Sequence, residues 1–124
     1  MGLKHIDEVM QVQDQIDHIS CYDARLMANR DDTLFVDVRE RSAFESGHIT
    51  GSVHCDRGLL EFYVADGSPM QLESFKGLPY KNYIVYCNGG KQSILAAKTL
   101  QDLGVRQVKN LIGGYAAWQQ SAAD

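Results

Sequence analysis

Tyr83-Ile84-Val85-Tyr86-Cys87-Asn88-Gly89-Gly90-Lys91-Gln92-Ser93 is the stretch that decides the fold of this 124-residue chain. Its first five residues are apolar, aromatic and β-branched, the pattern of a short strand buried on both faces. Asn88-Gly89-Gly90 breaks the strand. From about Gln92 to Leu103, apolar Ile94, Ala97, Leu100 and Leu103 recur at helical spacing until Gly104 ends the run. The stretch therefore reads as strand, glycine turn and helix, with Cys87 where the strand ends.

The same alternation extends to both sides. Leu34-Phe35-Val36-Asp37-Val38 is a second buried strand, and Val105–Ile112 holds a third. Ser20 caps a short helix over Tyr22–Asn29, and Glu40–Ser46 fits a helix that stops at Gly47. Ile49–Val53 reads as a turn into a short strand, and Gly58–Val64 as a helical turn. Pro69 opens a helix through Phe75, and Tyr115–Gln120 closes the chain as a helix containing Trp118. Ile6, Val9, Met10, Val12, Ile16 and Ile19 have a roughly helical spacing. Residues 1–18 are thus expected to be an N-terminal helical extension, and 19–124 the main domain. Strands alternating with helices imply an α/β fold, a mostly parallel sheet of about five strands with helices on both faces. Ligands bind such sheets beyond the carboxyl ends of the strands. Asp37-Val38-Arg39 and Cys87-Asn88-Gly89 fall there.

The composition is that of an ordinary globular domain, with 44% hydrophobic and 23% charged residues. A formal charge of -4 argues against nucleic acid as the main partner, because phosphate binding needs a basic face. No stretch has the length of a membrane span. Met1–Val9 carries Lys4, His5, Asp7 and Glu8 and no apolar core of a secretory leader, so a cytoplasmic location is expected. Cys21, Cys55 and Cys87 are an odd count with no C-x-x-C pair, which speaks against a disulfide framework and against thioredoxin-like chemistry.

Cys87 precedes a glycine-rich turn and a helix N-terminus. Glycines let several N–H groups converge on one point, and the helix end adds about half a positive charge. A thiol placed there is expected to have a depressed pKa and to act as a nucleophile, with Lys91 adding a charge in the same loop. The local pattern fits a small buried hydrophobe in a plain turn equally well.

Beyond the local pattern, the chain resembles the rhodanese family in its single-domain form, from about Ile19 to Trp118. Three blocks carry the resemblance. Asp37-Val38-Arg39-Glu40 with Phe44-Glu45-Ser46-Gly47-His48-Ile49-Thr50-Gly51-Ser52 is similar to the first signature, though Pro is more usual at Thr50. Val85–Ser93 resembles the active-site loop, and Leu111-Ile112-Gly113-Gly114-Tyr115-Ala116-Ala117-Trp118 the C-terminal signature. The resemblance implies a rhodanese-like three-layer domain. It implies that Cys87 takes a sulfane sulfur from a small anionic donor such as thiosulfate and passes it to a thiol, a protein acceptor or cyanide. It implies that Asn88, Gly89, Gly90, Lys91, Gln92 and Ser93 cradle the sulfur, and that no cofactor or metal is needed. Related dual-specificity phosphatases have a loop one residue longer, closed by Arg, where this chain has Ser93. Many rhodaneses have Arg at the position of Gln92, which bears on donor preference.

Asp37 and Arg39 are expected to be structural near the site, Asp37 bracing loop N–H groups and Arg39 pairing with a carboxylate such as Glu45. His48 is expected to be a structural hydrogen-bonder rather than a base. Arg57 is either a wall of the site that attracts an anionic donor or an idle surface charge. His54 and Cys55 have no second cluster at zinc spacing, and Cys55 could be a resolving thiol for Cys87. Cys21 is expected to be inert, and Tyr115 and Trp118 to close the core. Two other functions stay open beside sulfur transfer: a docking or redox-sensing module, and a cysteine phosphatase or arsenate reductase on the same fold.

Overall fold

The computed structural model describes residues 2–122. Its helices are α1 (Ile6–Val9), α2 (Cys21–Met27), α3 (Arg41–Ser46), α4 (Leu60–Val64), α5 (Gln92–Asp102) and α6 (Gly114–Ala122). Its strands are β1 (Asp17–Ile19), β2 (Thr33–Asp37), β3 (Val53–His54), β4 (Asn82–Tyr86) and β5 (Val108–Leu111). They form one sheet in the order β1-β5-β4-β2-β3, with every pairing parallel. All carboxyl ends therefore lie on one side. The α/β three-layer expectation holds.

Side chains of the central strands alternate between two cores, as the pleat requires. Leu34, Val36, Tyr83, Val85 and Val108 face one layer with Leu60, Val64, Ile94, Ala97 and Leu100. Phe35, Ile84, Tyr86 and Leu111 face the other with Ala24, Ile19 and the half-buried Tyr115 and Trp118. Trp118 meets Phe35 edge-on at 5.5 Å, and the Arg25 guanidinium lies 3.9 Å over its ring. Tyr115 and Trp118 do close this core.

Two local expectations need correction. The N-terminal segment is not one helix. After α1 it tightens to a 3-10 turn over Met10–Gln15, packs Met10 and Val12 on the first core, and becomes β1. Asp17 and His18, expected in the extension, pair with Lys109 and Asn110 of β5. Pro69 opens no helix, because the Ser68 hydroxyl takes the Met70 N–H and Gln71 bonds the Val64 carbonyl; only Glu73–Phe75 form a 3-10 turn. Ile49–Ser52 is a turn closed by the Ser52 N–H and Oγ on the Ile49 carbonyl, and it leads into the short strand at Val53, as the sequence indicates.

Candidate functional site

Cys87 directly follows β4 and is 3% exposed. Its side chain points to the α5 face, the side that Tyr83 and Val85 also face. Gly90 takes a φ of +90, and a Cβ there would lie 2.7 Å from the Gly113 nitrogen, so only glycine fits. The turn brings the Gly90 N–H to 3.1 Å from Cys87 Sγ and the Ser93 N–H to 3.3 Å. Lys91 at the helix N-cap makes no side-chain cap bond, so the sulfur itself serves as acceptor for the open end of α5.

The loop is also held from behind. The N–H groups of Tyr115 and Ala116, at the start of α6, donate to the Cys87 and Asn88 carbonyls at 2.8 and 3.0 Å. With those carbonyls turned away, the loop's N–H groups are left to converge on the sulfur. Asn88, Gly89, Lys91 and Gln92 are exposed around the rim, while Gly90 and Ser93 are buried.

Asp37 and Arg39 form a buried pair one strand away. Arg39 Nη2 lies 2.7 Å from Asp37 Oδ2, Nε is 3.1 Å from both carboxylate oxygens, and the Arg39 N–H donates to Oδ1 at 2.9 Å. The same guanidinium donates to the Gly47 carbonyl and lies 4.3 Å over the Tyr115 ring. Arg39 thus pairs with Asp37 and not with exposed Glu45, because residues two apart at a strand end share a side. Through Tyr115 this pair backs the loop. Tyr86 lends its hydroxyl to the Ile49 N–H and to Ser52, and burial pushes its phenol well above the usual range.

His48 is exposed, stacks on Phe44 at 3.7 Å and bonds the Phe44 carbonyl, so it braces a turn. Arg57 is engaged elsewhere. Its guanidinium donates to Thr99 Oγ1 at 3.1 Å and sits 3.7 Å from Glu61. Thr99 is about two turns along α5 from the loop. Cys55 follows β3, and β2 lies between it and Cys87. Two strand spacings put their backbones about 9–10 Å apart, beyond disulfide reach, so Cys55 is no resolving thiol in this fold. Burial, with the Asp37 carboxylate adding to it, pushes the Cys55 thiol up to about 12. Burial also raises the Cys21 thiol, against a smaller opposing pull from Arg25. Among the described residues, no group of three His, Cys, Asp or Glu is placed to hold a metal ion. No helix among them is long and apolar enough to cross a membrane.

One residue of the site went unread in the sequence. Asn110, buried in β5, accepts the Ser93 hydroxyl on Oδ1 at 2.5 Å, while Ser93 Oγ lies 3.2 Å from Cys87 Sγ. Its only signal was a polar residue at a core-facing strand position, in register with the face of Val108.

Comparison with known proteins gives a consistent picture. The model of one family, described as the rhodanese-like domain, matches residues 8–121. The thiosulfate sulfurtransferase GlpE of Coxiella burnetii is 29% identical over 105 residues, covering 85% of this chain and 86% of that protein. The chloroplastic thiosulfate sulfurtransferase 16 of Arabidopsis thaliana is 32% identical over 90 residues, covering 70% and 74%. Among solved structures, a protein of unknown function from Rhodopseudomonas palustris, described as a possible tyrosine phosphatase, superposes with a TM-score of 0.89 at 32% identity, covering 98% of this chain and 94% of that one. The human single-domain sulfurtransferase TSTD1 shares the fold at a TM-score of 0.69 and 22% identity, covering 83% and 95%.

Proposed function

The chain belongs to the rhodanese-like domain family, and from that premise we propose that it is a sulfurtransferase working through a persulfide on Cys87. One observation carries the reading: the Gly90 and Ser93 N–H groups converge on Cys87 Sγ at the head of an 11-residue helix. Fixed donors of this kind stabilise a sulfur that gains and loses negative charge, and they need no rearrangement when it does.

In the first half-reaction the Cys87 thiolate attacks the outer sulfur of thiosulfate. A new S–S bond forms, the S–S bond of thiosulfate breaks, and sulfite leaves with the electron pair. The persulfide's outer sulfur then carries the negative charge. A thiolate or cyanide attacks that sulfur, leaves as a persulfide or thiocyanate, and restores the Cys87 thiolate. No external oxidant or reductant enters. The exposed rim of Asn88, Gly89, Lys91 and Gln92 is where donor and acceptor arrive. Lys91 is the cation of the loop itself, and Arg57 acts on an anion only at a distance. Three free cysteines fit a reducing compartment such as the cytoplasm. No nucleic acid, membrane or cofactor enters the reaction.

Incubating the reduced protein with thiosulfate and recording its intact mass tests the proposal. The expected result is a gain of one sulfur, removed by cyanide and absent in Cys87→Ser. No gain on folded protein sinks the thiosulfate version. The likeness to a structure described as a possible tyrosine phosphatase calls for one control with an aryl phosphate ester. Turnover there, lost in Cys87→Ser, would favour the phosphatase reading. The six-residue loop from Cys87 to Gln92, followed by Ser93 instead of Arg, argues that none will be seen.

A further inference from the structure

The hydrogen-bond chain behind Cys87 runs on past the loop to the edge of the sheet. Ser93 Oγ donates to Asn110 Oδ1. Asn110 Nδ2 lies 3.2 Å from His18 Nδ1 and 3.4 Å from the Gly90 carbonyl. His18 Nε2 lies 2.9 Å from the Gln13 carbonyl. The far end fixes the hydrogens. A carbonyl only accepts, so neutral His18 carries its proton on Nε2 and offers a bare Nδ1. The Asn110 amine then faces His18, and its oxygen faces Ser93. The Ser93 hydrogen therefore points at Asn110, and the sulfur meets the hydroxyl's lone pair. That arrangement suits a thiol S–H, and it disfavours the uncharged inner sulfur of a persulfide less than a charged one. It opposes a thiolate.

We propose that Asn110 is a positioning residue of the sulfur site: it holds the Ser93 hydroxyl off Cys87 and so sets the balance between thiol and thiolate, with His18 fixing the orientation of its amide. The inference rests on the reading of Cys87 as the sulfur carrier. When the thiolate forms, the Ser93 hydroxyl turns to the sulfur and gives up Asn110. When the persulfide forms, charge moves to the outer sulfur and the hydroxyl returns. The hydroxyl follows the charge through both half-reactions with no covalent step of its own. The other ionisable groups packed around the site are Lys91 in the loop, Asp37 and Arg39 at the end of β2, Cys55 after β3, Tyr86 on β4 and Tyr115 on α6. Asp17 and Lys109 flank His18 on β1 and β5. Substituting Asn110 leaves all of them in place.

The test is the rate of Cys87 alkylation by iodoacetamide as a function of pH, read by peptide mass. In Asn110→Ala the freed hydroxyl donates to the thiolate, and the midpoint should fall by about one pH unit, the scale of one hydrogen bond to a charged group. In a Ser93→Ala background the same substitution should change nothing. A wild-type midpoint in folded Asn110→Ala, or an undiminished shift without the Ser93 hydroxyl, would overturn the proposal. Should Asn110→Ala fail to fold, Asn110→Leu, close in size but with no acceptor for the Ser93 hydroxyl, should shift the midpoint the same way. An unchanged midpoint there is equally fatal. Alkylation needs no sulfur donor, so this inference and the persulfide reading can fail separately.

Discussion

The α-carbon of Gly114 is pressed against the carbonyl of Cys87: a Cβ added at Gly114 would lie 2.5 Å from that oxygen and 2.7 Å from the Asn88 carbonyl carbon. Gly114 also holds a φ of +63. The glycine pair that opens α6 is thus the back wall of the cysteine loop, set there by contact and not only by turn chemistry.

Gly114→Ala is accordingly expected to lower stability by about 2–4 kcal/mol, since it combines a left-handed backbone with a backbone clash. Sulfur loading from thiosulfate should fall more than tenfold in whatever fraction stays folded. Gly89→Ala, with open space around its Cβ, should cost less than about 1 kcal/mol. Urea unfolding and intact mass after thiosulfate check both.

Arg39→Lys keeps the charge but loses the fork that meets both Asp37 oxygens, the Gly47 carbonyl and the Tyr115 ring. Asp37 would then be left partly unsatisfied at 0% exposure. The expected loss is about 2–3 kcal/mol by urea unfolding. A loss under half of that would mean that the pair is not what anchors α6 to β2.

Cys55 should resist alkylation in the folded protein at pH 8 while Cys87 reacts, because burial lifts its thiol up to about 12. The raised value also bears on stability. The folded state keeps the Cys55 proton where the unfolded chain, titrating near 9, releases it. That contribution is therefore complete below about pH 9 and is lost as pH rises toward 12, at up to about 1.4 kcal/mol per pH unit. Cys55→Ala should flatten the decline measured by urea unfolding between pH 9 and 11. Tyr86, raised from 10 in the same sense, should leave a residual slope. An unflattened decline would contradict the assignment to Cys55.

Gln92→Arg should lower the KM for thiosulfate about three- to tenfold with little change in kcat, and the gain should shrink as salt rises. The side chain is exposed at the first residue of α5, so it meets the donor before the chemistry does. A cation there works against the helix dipole and should cost about 0.3–1 kcal/mol of stability. An effect confined to kcat, or indifferent to salt, would refute this role.

The cysteine loop was legible in the sequence because everything that shapes it locally lies within Tyr83–Ser93: a buried strand, two glycines and a periodic helix. The glycine block at 113–114 was legible as a break, but its contact with Cys87 is tertiary. Asn110 left almost no trace, since a polar residue in Val108-Lys109-Asn110-Leu111 gains meaning only when α5 brings Ser93 over it. β1 was hidden for a related reason. Asp17-His18-Ile19 is too short and too polar to read as a strand, and its partner is β5. Arg39 was paired with Glu45 on the following helix, whereas Asp37, nearer in sequence, shares its side of the strand end.

The pairing of β1 with β5 also constrains when this molecule can become itself. Of the five strands of this sheet, β1 is made before all the others but pairs only with β5, made after them, and β4 and β2 already occupy the places between β5 and β3. A nascent chain that has emerged only through β4 has nothing for Asp17–Ile19 to dock on, and His18 has no Asn110 to hold. Closing such a long-range contact is slow compared with forming helices from neighbouring residues. The cysteine loop is therefore expected to exist as a turn well before it has its full set of neighbours, and a functional sulfur site should appear only once β1 and β5 have met.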